Sequence, residues 1–259
     1  MSDAILVERD GAIATVALNR PERLNALDKA MWSRLGSAMQ ELDSDASLRC
    51  IVLRGTGDRA FAAGADISEF RSERANSKQA QAYSEGGIGW LRAVAECRHP
   101  TLALIQGACV GGGLLIASQC DLRICNESAR FGVPVKNLGL TESYEELAGM
   151  LRLLGPAASL EILLEGRIWN ARDAHEKGLV SRVVPDANVV AEAYAAARRI
   201  AEGAPLVARW HKKFIRRLLD PRPLTAEERA EGYACFDTED FREGVAAFLA
   251  KRKPQFTGK

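Results

Sequence analysis

Two glycine-dense turns constrain this chain more than any other feature. Phe61-Ala62-Ala63-Gly64-Ala65-Asp66-Ile67 and Gly107-Ala108-Cys109-Val110-Gly111-Gly112-Gly113 each follow a short β-rich run and lead into a helical stretch. Small residues at such a turn let another backbone or a ligand come close, and the helix behind it presents unpaired N–H groups in its first turn. Two such donors converging on one point form an oxyanion hole. The same residues also serve tight packing of strand against helix, and the sequence leaves both readings open. Other glycine-rich sites are excluded. The second turn has the wrong glycine spacing for a dinucleotide fingerprint, and no acid follows at a second strand end about 20 residues on. No Gly-Lys-Ser/Thr follows it to cradle a phosphate, and the chain carries no nucleophile elbow.

The segments around the turns alternate between two periods. Ile5–Val7 and Ala12–Leu18 are β-rich runs joined through Arg9-Asp10-Gly11, where Asp-Gly tolerates positive φ. A helix follows Asp28, with Leu27, Met31, Leu35, Met39 and Leu42 on one face. Cys50–Leu53, Thr101–Ile105 and Asp121–Cys125 read as short buried strands. The polar stretch Arg71–Gln81 reads as a loop leading into a helix through Trp90 and Val94. Ser143-x-x-Glu146 is a capping box before a helix with Leu147, Met150, Leu151 and Leu154 on its apolar face. From Ala187 the pattern is helical, broken near Asp220-Pro221-Arg222-Pro223. Strands alternating with helices, then a block of helices, predict an α/β core over residues 1–195 and a C-terminal helical region over 196–259.

Hydrophobic residues make up 47% and charged residues 27% of the 259, the balance of a soluble globular chain long enough to fold without disulfide or metal. A net charge of +1 argues against nucleic acid or a membrane surface as partner. The six cysteines lie mostly in apolar runs with no Cys-x-x-Cys pair, and His99, His175 and His211 lack metal-ligand spacing. Reduced core cysteines, no metal and a cytoplasmic location are the expectation. Met1-Ser2-Asp3-Ala4 does not open a signal peptide, and no run approaches the ~20 apolar residues of a membrane span.

Asn19-Arg20-Pro21-Glu22-Arg23-Leu24-Asn25-Ala26-Leu27 resembles the opening signature of the crotonase (enoyl-CoA hydratase/isomerase) superfamily. The two glycine turns resemble its oxyanion motifs. Arg130-Phe131-Gly132-Val133-Pro134, Gly166-Arg167, Ala171-Arg172-Asp173-Ala174, Gly178-Leu179-Val180 and the tail from Phe241 to Lys253 follow in family order. The resemblance spans essentially the whole chain. It implies a spiral of ββα units, C-terminal helices that build a homotrimer or a dimer of trimers, and an acyl-CoA thioester as substrate. Coenzyme A would then enter with the substrate, and no separate cofactor is implied. The backbone N–H groups of Ala65 and Gly112 match the oxyanion donors that hold a thioester oxygen as it becomes an enolate. Arg23 and Leu24, with the backbone around Ala63, Asp66 and Ile67, match coenzyme A contacts, although the basic residue sits one place later than in many relatives. Phe248 and Lys251 match positions that reach the coenzyme A of a neighbouring subunit. Taken alone, Lys251-Arg252-Lys253 would simply complement a helix C-terminus.

The chain departs from that pattern where hydration needs carboxylates. The family hydratases place one two residues after the triple glycine and another directly after the Phe-Gly-x-Pro segment; here these positions are Leu115 and Val135. An aliphatic side chain neither takes nor gives a proton. Glu142, in the loop that resembles the family's acyl-pocket wall, is the candidate acid–base, with Tyr144 as rival and a solvated loop acid as the plain alternative. Glu145 and Glu146 are weaker candidates because they suit the helix N-terminus. The expected activity is enolate chemistry leading to isomerisation, decarboxylation or another lyase step. A non-catalytic acyl-CoA-binding or regulatory protein is the alternative from a different class.

Overall fold

The computed structural model describes residues 3–259, apart from the side chains of residues 85–88; Met1 and Ser2, where the signal-peptide reading begins, lie outside the described residues. Strands β1 (Ile5–Asp10) and β2 (Ile13–Leu18) form a hairpin, followed by α1 (Lys29–Ser44), β3 (Cys50–Gly55) and β4 (Ala60–Ala62). Next come α2 (Phe70–Glu73), α3 (Ser77–Glu96), β5 (Thr101–Ile105), β6 (Ala108–Val110), α4 (Gly112–Gln119), β7 (Leu122–Asn126) and β8 (Arg130–Gly132). The chain continues through α5 (Tyr144–Glu165), β9 (Trp169–Asn170), α6 (Ala171–Glu176) and β10 (Arg182–Val184). Helices α7 (Val189–Ala201), α8 (Pro205–Leu218), α9 (Ala226–Glu231) and α10 (Glu239–Leu249) complete it.

A six-stranded sheet has the order β1-β2-β3-β5-β7-β10, and a four-stranded sheet the order β4-β6-β8-β9. Pairing is parallel except at β1–β2 and β8–β9. Three times a strand of the larger sheet passes straight into a short strand of the smaller one and then into helix: β3–β4–α2, β5–β6–α4 and β7–β8–α5. That is the ββα repeat, and parallel pairing of successive repeats winds the chain into a spiral.

The larger sheet is covered on both faces, which is why its strands read as unbroken apolar runs. Leu53, Ala103 and Ile105 face α1 and its neighbours, packing with Met31, Leu35 and Met39. The alternate residues Val52, Leu102, Leu104 and Ile124 face α7, packing with Val189, Ala193 and Ala197. The period of two along each strand thus divides one apolar run between two cores.

Four sequence expectations shift. The hairpin turn is Gly11-Ala12, one place later than expected, with Gly11 at φ 58° and Asp10 paired to Ile13. Arg71–Gln81 is mostly helical, because the Asn76 side chain accepts the Gln79 N–H and caps α3. The boundary at residue 195 cuts through α7, whose Ala196 and Ala197 are as buried against the sheet as Ala193. The core therefore runs through α7, and the helical region begins at α8. Finally, α5 is long and apolar enough to cross a membrane by length and composition. Its path is broken at Gly155 (φ 68°, ψ 176°), directly before Pro156, so neither half reaches the ~20 residues of a span.

Candidate active site

The first glycine turn leaves β4 and is held by a single parallel bridge. Leu27 donates its N–H to the Gly64 carbonyl (2.8 Å) and accepts from the Asp66 N–H (2.8 Å). A parallel bridge uses the residues on either side of its partner, so the N–H of Ala65 points to the opposite side. Among the described residues no chain acceptor meets it. Gly64 adopts φ 104°, a region that favours glycine.

The second turn ends in Gly111 (φ 51°, ψ −124°), the cap of α4, which puts Gly112 at the first helical position with its N–H unspent. The two turns touch. A Cβ on Gly112 would lie 3.7 Å from the Ala65 nitrogen, and one on Gly64 would lie 3.6 Å from the Gly112 nitrogen. The turns thus pack closely on one another while bringing two unspent N–H groups near each other, as seen among the described residues. Gly113 is a packing glycine, since a Cβ there would meet the Ala62 carbonyl oxygen at 2.5 Å. Gly112 packs closely too, because its Cβ would strike the Trp32 ring at 2.8 Å while its N–H stays available.

Beside these donors lies a cavity of about 240 Å³ lined by Gly64, Ala65, Gly112, Leu115, Val135, Leu140, Glu142 and Glu146, among others. A second cavity of about 490 Å³ adjoins it and shares Trp32, Arg74, Glu142 and Glu146. Leu115 and Val135, at the vacant carboxylate positions, are apolar wall. Glu142 reaches this space from the loop between Gly139 (φ 68°) and Ser143, the N-cap of α5. Burial, reinforced by the nearby Glu146 carboxylate and opposed by Arg74, pushes the Glu142 carboxyl up to about 7. Glu146 completes the expected capping box, accepting the Ser143 N–H at 2.7 Å while its own N–H donates to the Ser143 hydroxyl at 3.3 Å. It lines the cavity as well.

Tyr144 needs correcting. As the first residue of α5 its ring is turned outward and 92% exposed, and it lines neither cavity. The structure does not bring it to Glu142's side. Among the positions matched to coenzyme A, Ala63 and Asp66 spend their N–H groups on Leu24 (2.9 Å) and Leu27, while the Ala63 carbonyl takes no bond among the described residues. The Asp66 carboxyl is held below its usual range, chiefly by the Ser68 hydroxyl, with Arg20 at 3.1 Å adding to it. Arg23 reaches the same carboxylate at 3.5 Å, and Leu24 holds a left-handed backbone (φ 52°). Ile67 is exposed at the rim. Phe248 and Lys251 lie elsewhere: Phe248 is 83% exposed on an apolar groove shared with Phe241 and Phe256, and the exposed Lys251 follows it. Within one chain neither lines the two cavities.

Trp32 and Arg74 are among the lining residues that escaped the sequence. Trp32 sits beside Met31 on α1, stacked on Trp90 at 5.5 Å, and its buried indole N–H finds no partner among the described residues. A large aromatic flanking the apolar face was its only signal. Arg74, just after α2, sits in a polar stretch without period and gave none.

A spiral of ββα repeats carrying two converging backbone donors defines a protein of the crotonase fold class. The sequence profile of the enoyl-CoA hydratase/isomerase family matches residues 8–259, and the chain belongs to that family. It is 37% identical over 257 residues to a probable enoyl-CoA hydratase of Mycobacterium tuberculosis, covering 98% of each chain. It is 31% identical to a crotonyl-CoA hydratase of Syntrophomonas wolfei, again over 98% of both. A crystal structure described as an enoyl-CoA hydratase/carnithine racemase from Magnetospirillum magneticum superposes with a TM-score of 0.98 at 51% identity, covering all of this chain and 97% of that one.

Proposed function

We propose that this protein is an acyl-CoA enzyme that stabilises a thioester enolate between the N–H groups of Ala65 and Gly112, with Glu142 as its acid–base. The observation that carries this reading is the junction of the two turns. Two backbone donors without chain acceptors among the described residues face a cavity that also holds a carboxyl raised towards neutrality. Donors fixed by the backbone cost no reorganisation as charge develops, and losing one such donor typically costs about 3–4 kcal/mol of transition-state stabilisation. A carboxyl titrating near 7 suits proton transfer at neutral pH in either direction.

With Glu146 committed to capping α5, Glu142 is the carboxyl left for proton transfer, which favours chemistry with a single proton transfer at a time. Isomerisation moves one proton between carbons through the enolate. Decarboxylation needs no base, since the electrons of the breaking C–C bond become the enolate as CO₂ leaves and Glu142 then protonates the α-carbon. Ordinary hydration also requires activation of water, for which Leu115 and Val135 offer nothing. The exposed apolar side chains of Phe236, Phe241, Val245, Phe248 and Leu249 support assembly into a trimer or a pair of trimers.

The test is incubation with a panel of saturated, unsaturated and carboxylated CoA thioesters in D₂O, following α-carbon exchange and product by mass spectrometry. Exchange or turnover that falls about 10²–10⁴-fold in Glu142→Gln is expected, the span of general acid–base assistance. Tight thioester binding with no exchange on any substrate would refute catalysis and leave the non-catalytic binding protein standing.

A further inference from the structure

Arg74 occupies the junction of the two cavities, and its surroundings are unusual for an arginine. Its guanidinium carbon stacks 3.9 Å from the Tyr83 ring and 4.8 Å from the Phe70 ring. Its Nε is buried without a hydrogen-bond acceptor, and no carboxylate lies within ion-pair distance of it among the described residues. The acids facing it are Glu142 and Glu146, which line both cavities with it yet make no ion pair with it. The buried indole N–H of Trp32, which lines both cavities with it, likewise has no acceptor among the described residues. Arg74 therefore brings a cation without an ion-pair partner among the described residues to the space that both cavities share. A cation left without a carboxylate partner is unfavourable where water is scarce, and an anionic oxygen pair on a ligand would supply one.

Resting on the acyl-CoA reading above, we infer that Arg74 is a specificity-determining residue that receives a carboxylate on the acyl group, so that the substrates are CoA monothioesters of dicarboxylic acids. The Tyr83 and Phe70 rings hold the guanidinium, Tyr83 also through a side-chain hydrogen bond, and its remaining donors are left for a carboxylate. A bound carboxylate would also add negative charge beside Glu142 and favour its protonated form. Glu142 would then stand as the proton donor to an enolate, as decarboxylation requires.

The experiment is calorimetric titration of the full-length protein with two length-matched pairs, glutaryl-CoA against pentanoyl-CoA and malonyl-CoA against propionyl-CoA, and with free coenzyme A. Wild type is expected to bind at least one carboxylated member about tenfold or more tightly than its partner, the scale of one charge-assisted hydrogen bond. Arg74→Met should erase that preference while leaving the free coenzyme A and pentanoyl-CoA affinities within about threefold, and Arg74→Lys should restore part of it. Equal or weaker binding of both carboxylated thioesters by wild type would overturn this inference and leave the acyl-CoA reading intact. Persistence of the preference in Arg74→Met would overturn it too. Failure of every thioester and of free coenzyme A to bind would bring down both readings.

Discussion

Replacing Glu142 with glutamine keeps the shape of the side chain and removes its ability to ionise, which isolates the cost of holding a carboxylate where the fold holds it. The carboxyl moves from its ordinary 4.5 to about 7, chiefly through burial. Each tenfold change in proton affinity is worth about 1.4 kcal/mol, so the shift sets an upper figure of about 3.4 kcal/mol. Solvent reaches this half-buried group, and relaxation on ionisation trims the figure further, so about 1–3 kcal/mol is the expected gain in Glu142→Gln at pH 8. The sign follows from proton counting. Below pH 4.5 the carboxyl is neutral in folded and unfolded chains, and the variant gains nothing. Between 4.5 and 7 the folded chain keeps a proton that the unfolded chain has lost, so wild-type stability falls as pH rises. Above 7 the full penalty is present and the difference levels off. Thermal unfolding of both proteins at one protein concentration, stepped from pH 4 to pH 8, reads this difference together with the change in Glu146, which faces Glu142, while titrating groups remote from the pair cancel. For a chain of this size about 2 kcal/mol corresponds to about 4–8 °C. A melting difference that stays flat across the range, or a variant less stable at pH 8, would refute the argument. A more stable and less active variant is the signature of a functional group placed against the interest of folding.

Three further outcomes are expected. Crotonyl-CoA hydration should run several orders of magnitude below that of a true hydratase, since each missing acid or base is worth about 10²–10⁴; measured turnover within about tenfold of such an enzyme would contradict it. Light scattering at micromolar concentration should give a trimer or hexamer, and a monomeric mass would show that the exposed faces of α8 and α10 serve something else. Gly113→Ala should lose about 1–3 kcal/mol in denaturant unfolding, because its Cβ meets the Ala62 carbonyl oxygen at 2.5 Å and two packed backbones must part to admit it; an unchanged midpoint would mean that α4 slides freely on β4.

What the sequence revealed was what is written locally. The apolar spacing of Met31, Leu35 and Met39, the cap at Asp28 and the Ser143–Glu146 box are each decided within a few residues, and each is present in the fold. The family motifs likewise placed Ala65 and Gly112 on two turns that meet. Relations between distant segments were not legible. Nothing about Arg74 shows that Tyr83 and Phe70 will clamp it, and nothing about Trp32 shows that it will press on Gly112 from another element. Tyr144 misled for the opposite reason. It adjoins Glu142 in sequence, but Ser143 starts a helix between them and turns the next side chain outward. The place of the boundary within α7 was not legible, because a run of alanines reads the same whether it faces a sheet or solvent.

The bridge from Leu27 to Gly64 and Asp66 has a consequence for how such a protein changes over time. It fixes the Ala65 amide by main-chain bonds alone, and the Gly112 amide is likewise set by the course of the helix that follows it. Neither donor depends on the identity of a side chain at residues 115, 135, 142 or 74. If the proposed function holds, point substitutions at those four places would exchange one reaction or acyl preference for another while both amides stay where they are. On that proposal the scaffold separates what must survive mutation from what can be rewritten, and the aliphatic side chains of Leu115 and Val135 belong to the second kind.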